Sequence, residues 1–248
     1  MLVHRFYAPE FADDRDVQLP DDEAQHLSRV LRLKPGDAIA IFDGKGREAL
    51  ARVEIVGSRK VVIRATASRQ PVEEPKTPLT LAQALLKSDK MDRVIRDAVM
   101  LGVAAVQPFV SARTDVPEAA LRTGVRQERW QRTVIASVKQ CGRAVVPPIL
   151  DPIDFKQLVK TTANRTRLMF VEPSVHEPRS VGDLRSLEGR VPVEPMILIG
   201  PEGGWDPDEV QAAADAGVTL VTFAGATLRA DAAGGVALAV LRYIWKDL

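Results

Sequence analysis

The chain has 248 residues, of which 34 are basic and 33 acidic, and 46% of its side chains are hydrophobic. These proportions are typical of a globular protein, and they exclude an intrinsically disordered or fibrous chain. The single cysteine, Cys141, excludes an intrachain disulfide and a cysteine-rich zinc site, and the three histidines lie too far apart in the sequence to indicate a metal site. No apolar run is long enough for a signal-peptide core or a membrane span, so we expect a soluble cytoplasmic protein.

Basic residues are concentrated in the middle of the chain. Residues 76–143 contain 12 Lys and Arg against 6 Asp and Glu, whereas acidic residues slightly outnumber basic ones on either side. Proteins that contact phosphates carry such a local excess of positive charge. Solvated helix faces produce the same pattern, so charge alone leaves both interpretations open.

The first 70 residues predict a small, mostly β domain. Strands are indicated over Ala38–Phe42, Ala49–Val56 and Lys60–Ala67, and the Asp43–Gly46 turn between the first two is a strong hairpin signal. One helix, Asp22–Leu33, interrupts the strands. Its apolar face carries four residues at helical spacing, namely Ala24, Leu27, Val30 and Leu31.

A linker follows this domain. Between Arg69 and Pro78 the chain has three prolines, four charged residues and no apolar periodicity. We therefore expect a first domain over residues 1–72, a linker over 73–78 and a second domain over 79–248.

Strands and helices alternate in the second domain, which predicts an α/β fold with a largely parallel sheet. The predicted strands are Leu79–Leu86, Ala104–Val110, Arg167–Val171, Met196–Ile199 and Leu220–Phe223. Ser88 or Asp89 caps the helix after the first strand, and Gly102 ends it. Its apolar stripe consists of Met91, Val94, Ile95, Ala98 and Leu101.

Two further helices are predicted in this domain. A long basic helix covers Arg126–Gln140, and its cationic side chains, Lys139 among them, are expected to lie largely outside. The last helix, Ala232–Lys246, is apolar around much of its surface, so we expect it to be buried against the sheet or against a partner subunit.

Three predicted strands end in turn-rich loops, Glu172–Ser174, Gly200–Gly204 and Ala224–Arg229. Ligands of open α/β sheets bind beyond the carboxyl ends of the strands. The middle loop lacks the Lys and Ser/Thr of a P-loop and the spacing of a dinucleotide fingerprint, and Glu202 would repel a phosphate. A cationic or neutral ligand surface therefore fits better than ATP or NAD. Alternatively, the glycines only form a tight turn before the helix that begins at Asp206.

Four motifs, in order, resemble the RsmE family of 16S rRNA methyltransferases: HLSRVLRLKPGD with FDGKGRE, KSDKMDRVIRDAVMLGV, RWQRTVIASVKQCGRAVVPPI and ILIGPEGGWDPDEV. They cover nearly the whole chain. The resemblance implies a PUA-like RNA-binding β-barrel, followed by an α/β methyltransferase domain of the SPOUT type with a deep trefoil knot. It also implies a homodimer that binds S-adenosylmethionine (SAM), needs no metal, and methylates N3 of a uridine in the 16S rRNA of the small ribosomal subunit.

The resemblance also implies roles for individual residues. Arg229 would stabilise negative charge on the uridine carbonyl oxygens, unless it forms only a structural ion pair, and Asp231 would act as a base or orient Arg229. The SAM-binding residues would be Glu172, Pro173, Ile199, Gly200, Pro201, Glu202, Gly203, Phe223 and Leu228. The RNA-binding residues would be Arg29, Arg32, Lys87, Arg93, Gln140 and Arg143, of which the last two would meet either the RNA or the neighbouring subunit.

The third loop departs from the family pattern. The family reads L-G-x-x-I-L-R-x-E-T-A where residues 223–233 read F-A-G-A-T-L-R-A-D-A-A, and Met100 stands where the family has an acid. A second hypothesis is therefore an RNA-binding protein of the same fold with weakened or altered methyltransferase activity. A third, which rests only on the glycine loop, is a nucleotide-dependent α/β enzyme that acts on small molecules.

Overall fold

The computed structural model describes residues 3–57, 60–87, 89–116, 124–162, 164–173, 181–182, 184–223 and 227–247. The chain forms two compact units, Met1–Glu74 with Ile135–Val146, and Pro75–Val134 with Pro147–Leu248. The boundary after Glu74 lies within the predicted linker, whereas nothing in the sequence indicated that residues 135–146 join the first unit. Within the described ranges, no helix is long and apolar enough to cross a membrane.

One five-stranded sheet dominates the first unit. Its strands are β1 (Arg5–Tyr7), β2 (Asp16–Gln18), β3 (Ala38–Phe42), β4 (Glu48–Val56) and β5 (Val61–Arg69), in the spatial order β1-β3-β4-β5-β2. The β1–β3 pair is parallel and the other pairs are antiparallel. Bulges between β4 and β5 increase the local twist of the sheet. The three strands predicted here are confirmed to within two residues at each end.

The helix predicted over Asp22–Leu33 is shorter in the structure, and its winding changes from α-helical to π-helical. Helix α1 covers only Asp21–Gln25 and is followed by a π-helical turn, His26–Val30. Because a π turn has more residues per turn than an α-helix, the side chains that follow leave the predicted apolar face. The burial predicted for Val30 is wrong, since that side chain is 68% exposed. The segment ends at Arg32, whose φ of 55° breaks the helix.

The second unit contains a six-stranded, wholly parallel sheet. Its strands are β6 (Thr80–Ala84), β7 (Ala105–Val110), β8 (Ile153–Asp154), β9 (Arg167–Phe170), β10 (Met196–Ile199) and β11 (Thr219–Val221), in the order β11-β9-β10-β6-β7-β8. The parallel sheet is confirmed, and only the short β8 escaped prediction. Because β9 lies between β10 and β11, the carboxyl ends of these three strands are neighbours.

Among the described residues, five α-helices accompany this sheet, α2 (Lys90–Met100), α3 (Val125–Cys141), α4 (Phe155–Thr161), α5 (Pro207–Asp215) and α6 (Ala230–Ile244). The sequence did not predict α4. Apolar residues of α4 and α5 share one core with Ala82 of β6 and Leu198 of β10. Helices α2 and α6 pack together, and Gly234 of α6 lies against Leu81 of β6. Since adjacent strand residues point to opposite faces, the helices cover both faces of the sheet.

Details of α2 and α3 differ from the sequence prediction. Gly102 ends α2 at φ 78°, as predicted, and the stripe from Met91 to Ala98 is buried. Asp89 occupies the N-cap position, but its side chain makes no capping hydrogen bond to the described residues, and Ser88 lies outside them. On α3 the expected exposure of Lys139 is wrong. Its side chain is 18% exposed, and its ammonium donates to both carboxylate oxygens of Glu23.

The end of α6 holds a buried ion pair that the sequence analysis did not anticipate. Arg242 is 1% exposed and donates to the carbonyl oxygens of Thr77 (2.7 Å) and Gly102 (2.6 Å), and to Asp247 Oδ2 (2.6 Å). The Asp247 carboxylate also accepts the N–H groups of Lys76 and Thr77. The last residues of the predicted linker are therefore fixed to the C-terminal helix. Leu238 of α6 and Trp245, which follows its last residue, are buried as expected.

Candidate active site

A cavity of about 380 Å³ opens where β9, β10 and β11 end. Its walls come from the segments that follow these three strands, and from the first turns of α2 and α6. This is the edge at which the sequence placed the three loops. The part of the first loop from Ser174 onward and residues 224–226 of the third lie outside the described residues.

The position of the Trp205 ring requires a glycine at residue 200, at the start of the middle loop. The indole N–H of Trp205 donates to the Phe170 carbonyl oxygen at 2.8 Å, which ties the loop to the end of β9. A Cβ atom at Gly200 would lie 2.9 Å from the Trp205 ring, so only glycine allows this close approach. Beyond the tryptophan, α5 begins at its N-cap Asp206, as predicted, with a complete capping box between Asp206 and Glu209 and with Pro207 at its first position.

One part of the cavity is apolar and aromatic. The Phe170 and Phe223 rings stack with centroids 4.8 Å apart, and Ile199, Leu228 and Trp205 line the same cavity. Flat aromatic walls of this kind suit a planar ring system in a ligand.

A second part of the cavity carries paired charges at the first turn of α6. The Arg229 guanidinium donates to Asp231 through two bonds of 3.0 Å each, and Arg93 of α2 lies 3.8 Å from the same carboxylate. The Arg229 side chain is 73% exposed, whereas that of Asp231 is 9% exposed. The structure thus brings together the two predicted catalytic residues, with the carboxylate fixing the guanidinium at the cavity wall.

A second ion pair, Lys90 with Glu202, joins the first turn of α2 to the middle loop. Lys90 Nζ lies 3.0 Å from Glu202 Oε1, which also accepts the Lys87 N–H at 3.3 Å. Burial alone would raise the pKa of Glu202, but the hydrogen bonds from Lys90 and from backbone N–H groups outweigh it and hold the pKa below its usual value. Glu202 is therefore an ionised but already paired carboxylate.

The family model for the RNA methyltransferase domain matches residues 72–242, and the model for the RNA methyltransferase PUA domain matches residues 19–66. The chain belongs to the RNA methyltransferase family. Ribosomal RNA small subunit methyltransferase E of Synechocystis sp. is 32% identical over 248 residues, 100% of this chain and 79% of that protein. The Mycobacterium tuberculosis protein of the same name is 30% identical over 96% of this chain and 90% of its own length.

Among solved structures, ribosomal RNA small subunit methyltransferase E from Neisseria gonorrhoeae, bound to S-adenosyl methionine, matches with a TM-score of 0.87, 32% identity and 98% coverage of each chain. Together these likenesses confirm the predicted family, the predicted class of enzyme, and a SPOUT-type α/β domain preceded by a PUA-like domain. The trefoil knot stays a prediction.

Eight of the nine residues predicted to bind the cofactor of this RNA methyltransferase line the cavity. The ninth, Gly203, faces elsewhere, because a Cβ atom there would lie 3.1 Å from Arg113 Cβ. Lys90 and Trp205 also line the cavity, although the sequence did not predict them as site residues. The sequence places Trp205 next to the glycines of the middle loop, but Lys90 comes from a helix more than 100 residues away, and nothing in the sequence joins it to Glu202.

The predicted RNA-binding residues of the methyltransferase fall into different environments. Arg29, Arg32, Lys87, Arg93 and Gln140 are exposed. Arg143 is 5% exposed, and its guanidinium forms a bidentate pair with Glu74 at 2.5–3.0 Å. This arrangement gives Arg143 a structural partner within the first unit and leaves it little surface for RNA.

Proposed function

We propose that this protein methylates N3 of a uridine in 16S rRNA of the small ribosomal subunit, with SAM as the methyl donor. The observation that carries the proposal is the cavity at the ends of β9, β10 and β11, which combines an aromatic wall with two ion pairs in a chain of the RNA methyltransferase family. The N. gonorrhoeae protein, 32% identical, is described as bound to S-adenosyl methionine, which supports the same cofactor here.

The cavity residues fit SAM. A volume of about 380 Å³ lies within the range of small-molecule sites. The stacked Phe170 and Phe223 rings would hold the adenine, and Glu172 on the first loop would offer negative charge to the sulfonium. Bound SAM supplies a methyl group that is already activated for transfer, so the protein needs only to position the acceptor and stabilise its charge.

The acceptor determines what the side chains must do. N3 of uridine holds a proton at neutral pH, and loss of that proton places negative charge on the two neighbouring carbonyl oxygens. Arg229 is fixed at the cavity wall by Asp231, so its guanidinium would stabilise this charge without rearranging. Asp231, paired with Arg229 and close to Arg93, is better suited to orienting Arg229 than to taking the proton.

RNA would bind through exposed cations on each unit. The first unit offers Arg29 and Arg32, which flank the exposed Val30, and the second offers Lys87 and Arg93 near the cavity. Gln140 on α3 is exposed as well. Such contacts to phosphates position the RNA without reading its sequence. We leave Arg143 out of this surface because of its pair with Glu74.

The functional form would be a homodimer that buries the outer face of α6. Tyr243 is 76% exposed and Val236 is 37% exposed on this otherwise apolar helix. Large exposed apolar side chains on one helix indicate a contact surface. Light scattering should give a dimer mass for the wild type and a monomer for Tyr243→Glu, whereas an unchanged mass in the variant would place the contact elsewhere.

Mass spectrometry of 16S rRNA provides the direct test. Cells without the protein should lack one 3-methyluridine that wild-type cells contain, and purified protein with SAM should restore it on small subunits from those cells. Calorimetry should detect SAM binding to the protein alone. SAM binding without methylation would instead favour a binding protein of the same fold, and the absence of both would refute the proposal.

A further inference from the structure

We propose that Lys90 is a second catalytic cation, whose ammonium contacts one carbonyl oxygen of the acceptor base while Arg229 contacts the other. This inference rests on the proposed function and deepens it. Neither the family motifs quoted above nor the family match assigns a role to this lysine.

The position of Lys90 separates it from the neighbouring cations Lys87 and Arg93. Its side chain is 31% exposed and lines the cavity. Lys87 and Arg93 are each 52% exposed, do not line the cavity, and pair with Asp115 and Asp89 respectively. Among the described residues of the cavity wall, Lys90 and Arg229 are the two cations.

Glu202 holds the Lys90 ammonium in one place. The Glu202 carboxylate accepts from both Lys90 Nζ and the Lys87 backbone N–H, so its orientation is fixed at two points. A cation that is already oriented stabilises developing charge without the reorganisation that a free lysine would need.

The two cations line one cavity. Arg93, one helical turn beyond Lys90 on α2, approaches the Asp231 carboxylate that holds Arg229. Residues three apart on a helix are neighbours, so Lys90 lies on α2 beside the arginine that reaches the first turn of α6. The stacked aromatic rings line the same cavity.

The chemistry of the acceptor calls for two cations. Uracil N3 lies between two carbonyl groups, and both oxygens gain negative charge when N3 loses its proton to water at the open mouth of the cavity. The acceptor keeps the electron pair of that N–H bond and uses it for the new N–CH₃ bond, while the methyl–sulfur bond of the donor breaks and its electron pair stays on sulfur as a neutral thioether. Two cations, one at each oxygen, stabilise the deprotonated base more than a single cation does, since each oxygen then has its own charge-assisted contact.

Methyl transfer to small subunits, measured in single turnover with Lys90→Met, tests the assignment. We expect the rate at neutral pH to fall about 100-fold, as when one oxyanion donor is removed, and SAM affinity to change less than threefold. The wild-type rate should level off near neutral pH, because the two cations favour the deprotonated base. The variant's rate should keep rising by about tenfold per pH unit while N3 remains mostly protonated, so that the difference between the two narrows. Lys90→Arg should restore part of the rate, and Lys156→Met, an exposed lysine on α4, should behave as wild type.

Three outcomes would overturn the assignment. An unchanged rate would show that Lys90 does not contact the acceptor. Weaker SAM binding in proportion to the lost rate would place the ammonium on the cofactor carboxylate instead. A loss that is equal at every pH, and shared by Glu202→Gln, which keeps the ammonium, would reduce Lys90 to a structural partner of Glu202. If the wild type itself fails to methylate small subunits, the proposed function falls together with this inference.

Discussion

Helix α6 carries an Arg–Asp pair at each end, and the two pairs differ in almost everything except composition. At the first turn, Arg229 is 73% exposed and donates only to Asp231 among its described contacts. At the last turn, Arg242 is 1% exposed and donates to three backbone carbonyl groups as well as to Asp247. Burial and backbone contacts make the second pair structural, whereas exposure at a cavity leaves the first available to a ligand.

The largest effect is expected from the buried pair. Arg242→Met leaves three carbonyl groups and the Asp247 carboxylate without their donor, so the free energy of unfolding should fall by about 3–5 kcal/mol. Arg229→Met should cost less than about 1 kcal/mol, as an exposed pair contributes little. Urea denaturation of both variants checks the comparison, and equal losses would contradict it.

The exposed pair should matter to catalysis instead. Arg229→Ala is expected to lower the single-turnover rate of transfer to small subunits by about 100- to 1000-fold, because one preorganised donor to the developing oxyanion is removed. SAM affinity, measured by calorimetry, should stay within a few-fold of wild type. An unchanged rate would show that the Arg229–Asp231 pair is structural after all.

The sequence predicts the Arg229–Asp231 pair but not the Arg242–Asp247 pair, and the reason is physical. Arg229 follows a strand end, and in a parallel sheet such positions are brought together whatever the details of packing. Asp247 lies close to Arg242 in the sequence, but the carbonyl groups that bury and fix this pair are more than 100 residues away, and no side-chain pattern encodes them. Lys90 escaped for the same reason, since its pair with Glu202 depends on how α2 meets the middle loop.

In the first unit, a change in helix winding made the predicted burial of one side chain wrong. The apolar spacing from Ala24 to Leu31 suits an α-helix, and only the packed structure shows the π turn at His26–Val30 that exposes Val30. The strands were predicted well because alternation and turn residues depend on neighbours in sequence. Burial of Lys139 and Arg143 depends instead on distant acids, Glu23 and Glu74.

Acidification should weaken the buried pair specifically. Burial would raise the pKa of Asp247, but the N–H groups of Thr77 and Lys76 together with Arg242 hold it below the ordinary value. A carboxyl group with a lowered pKa in the folded state stabilises the fold above its unfolded pKa, near 3.9, and this contribution is lost as the pH falls through the folded value. Asp247→Asn should therefore cost about 2 kcal/mol at pH 7.

The cost of Asp247→Asn should shrink steadily as the pH falls below about 4, because the wild-type carboxyl group then becomes neutral as well. Urea denaturation at several pH values measures the difference. If the difference in unfolding free energy between wild type and variant stays constant over this range, the charge of the Asp247 carboxylate contributes nothing to stability. The hydrogen bonds alone would then join Asp247 to Lys76 and Thr77.

The smallest effect is expected at Arg93, which touches the exposed pair from α2. Its guanidinium lies 3.8 Å from Asp231 and is 52% exposed, so Arg93→Met should change folding stability by less than about 0.5 kcal/mol. If Arg93 contacts a phosphate, the slope of log affinity for RNA against log salt should become less negative by about 0.7–0.9. Arg96, an exposed arginine one turn further along α2, provides the matched control. An equal change of the salt slope in Arg96→Met would mean that RNA affinity depends only on the net charge of the helix. A change confined to Arg93→Met would place the RNA backbone beside the first turn of α6.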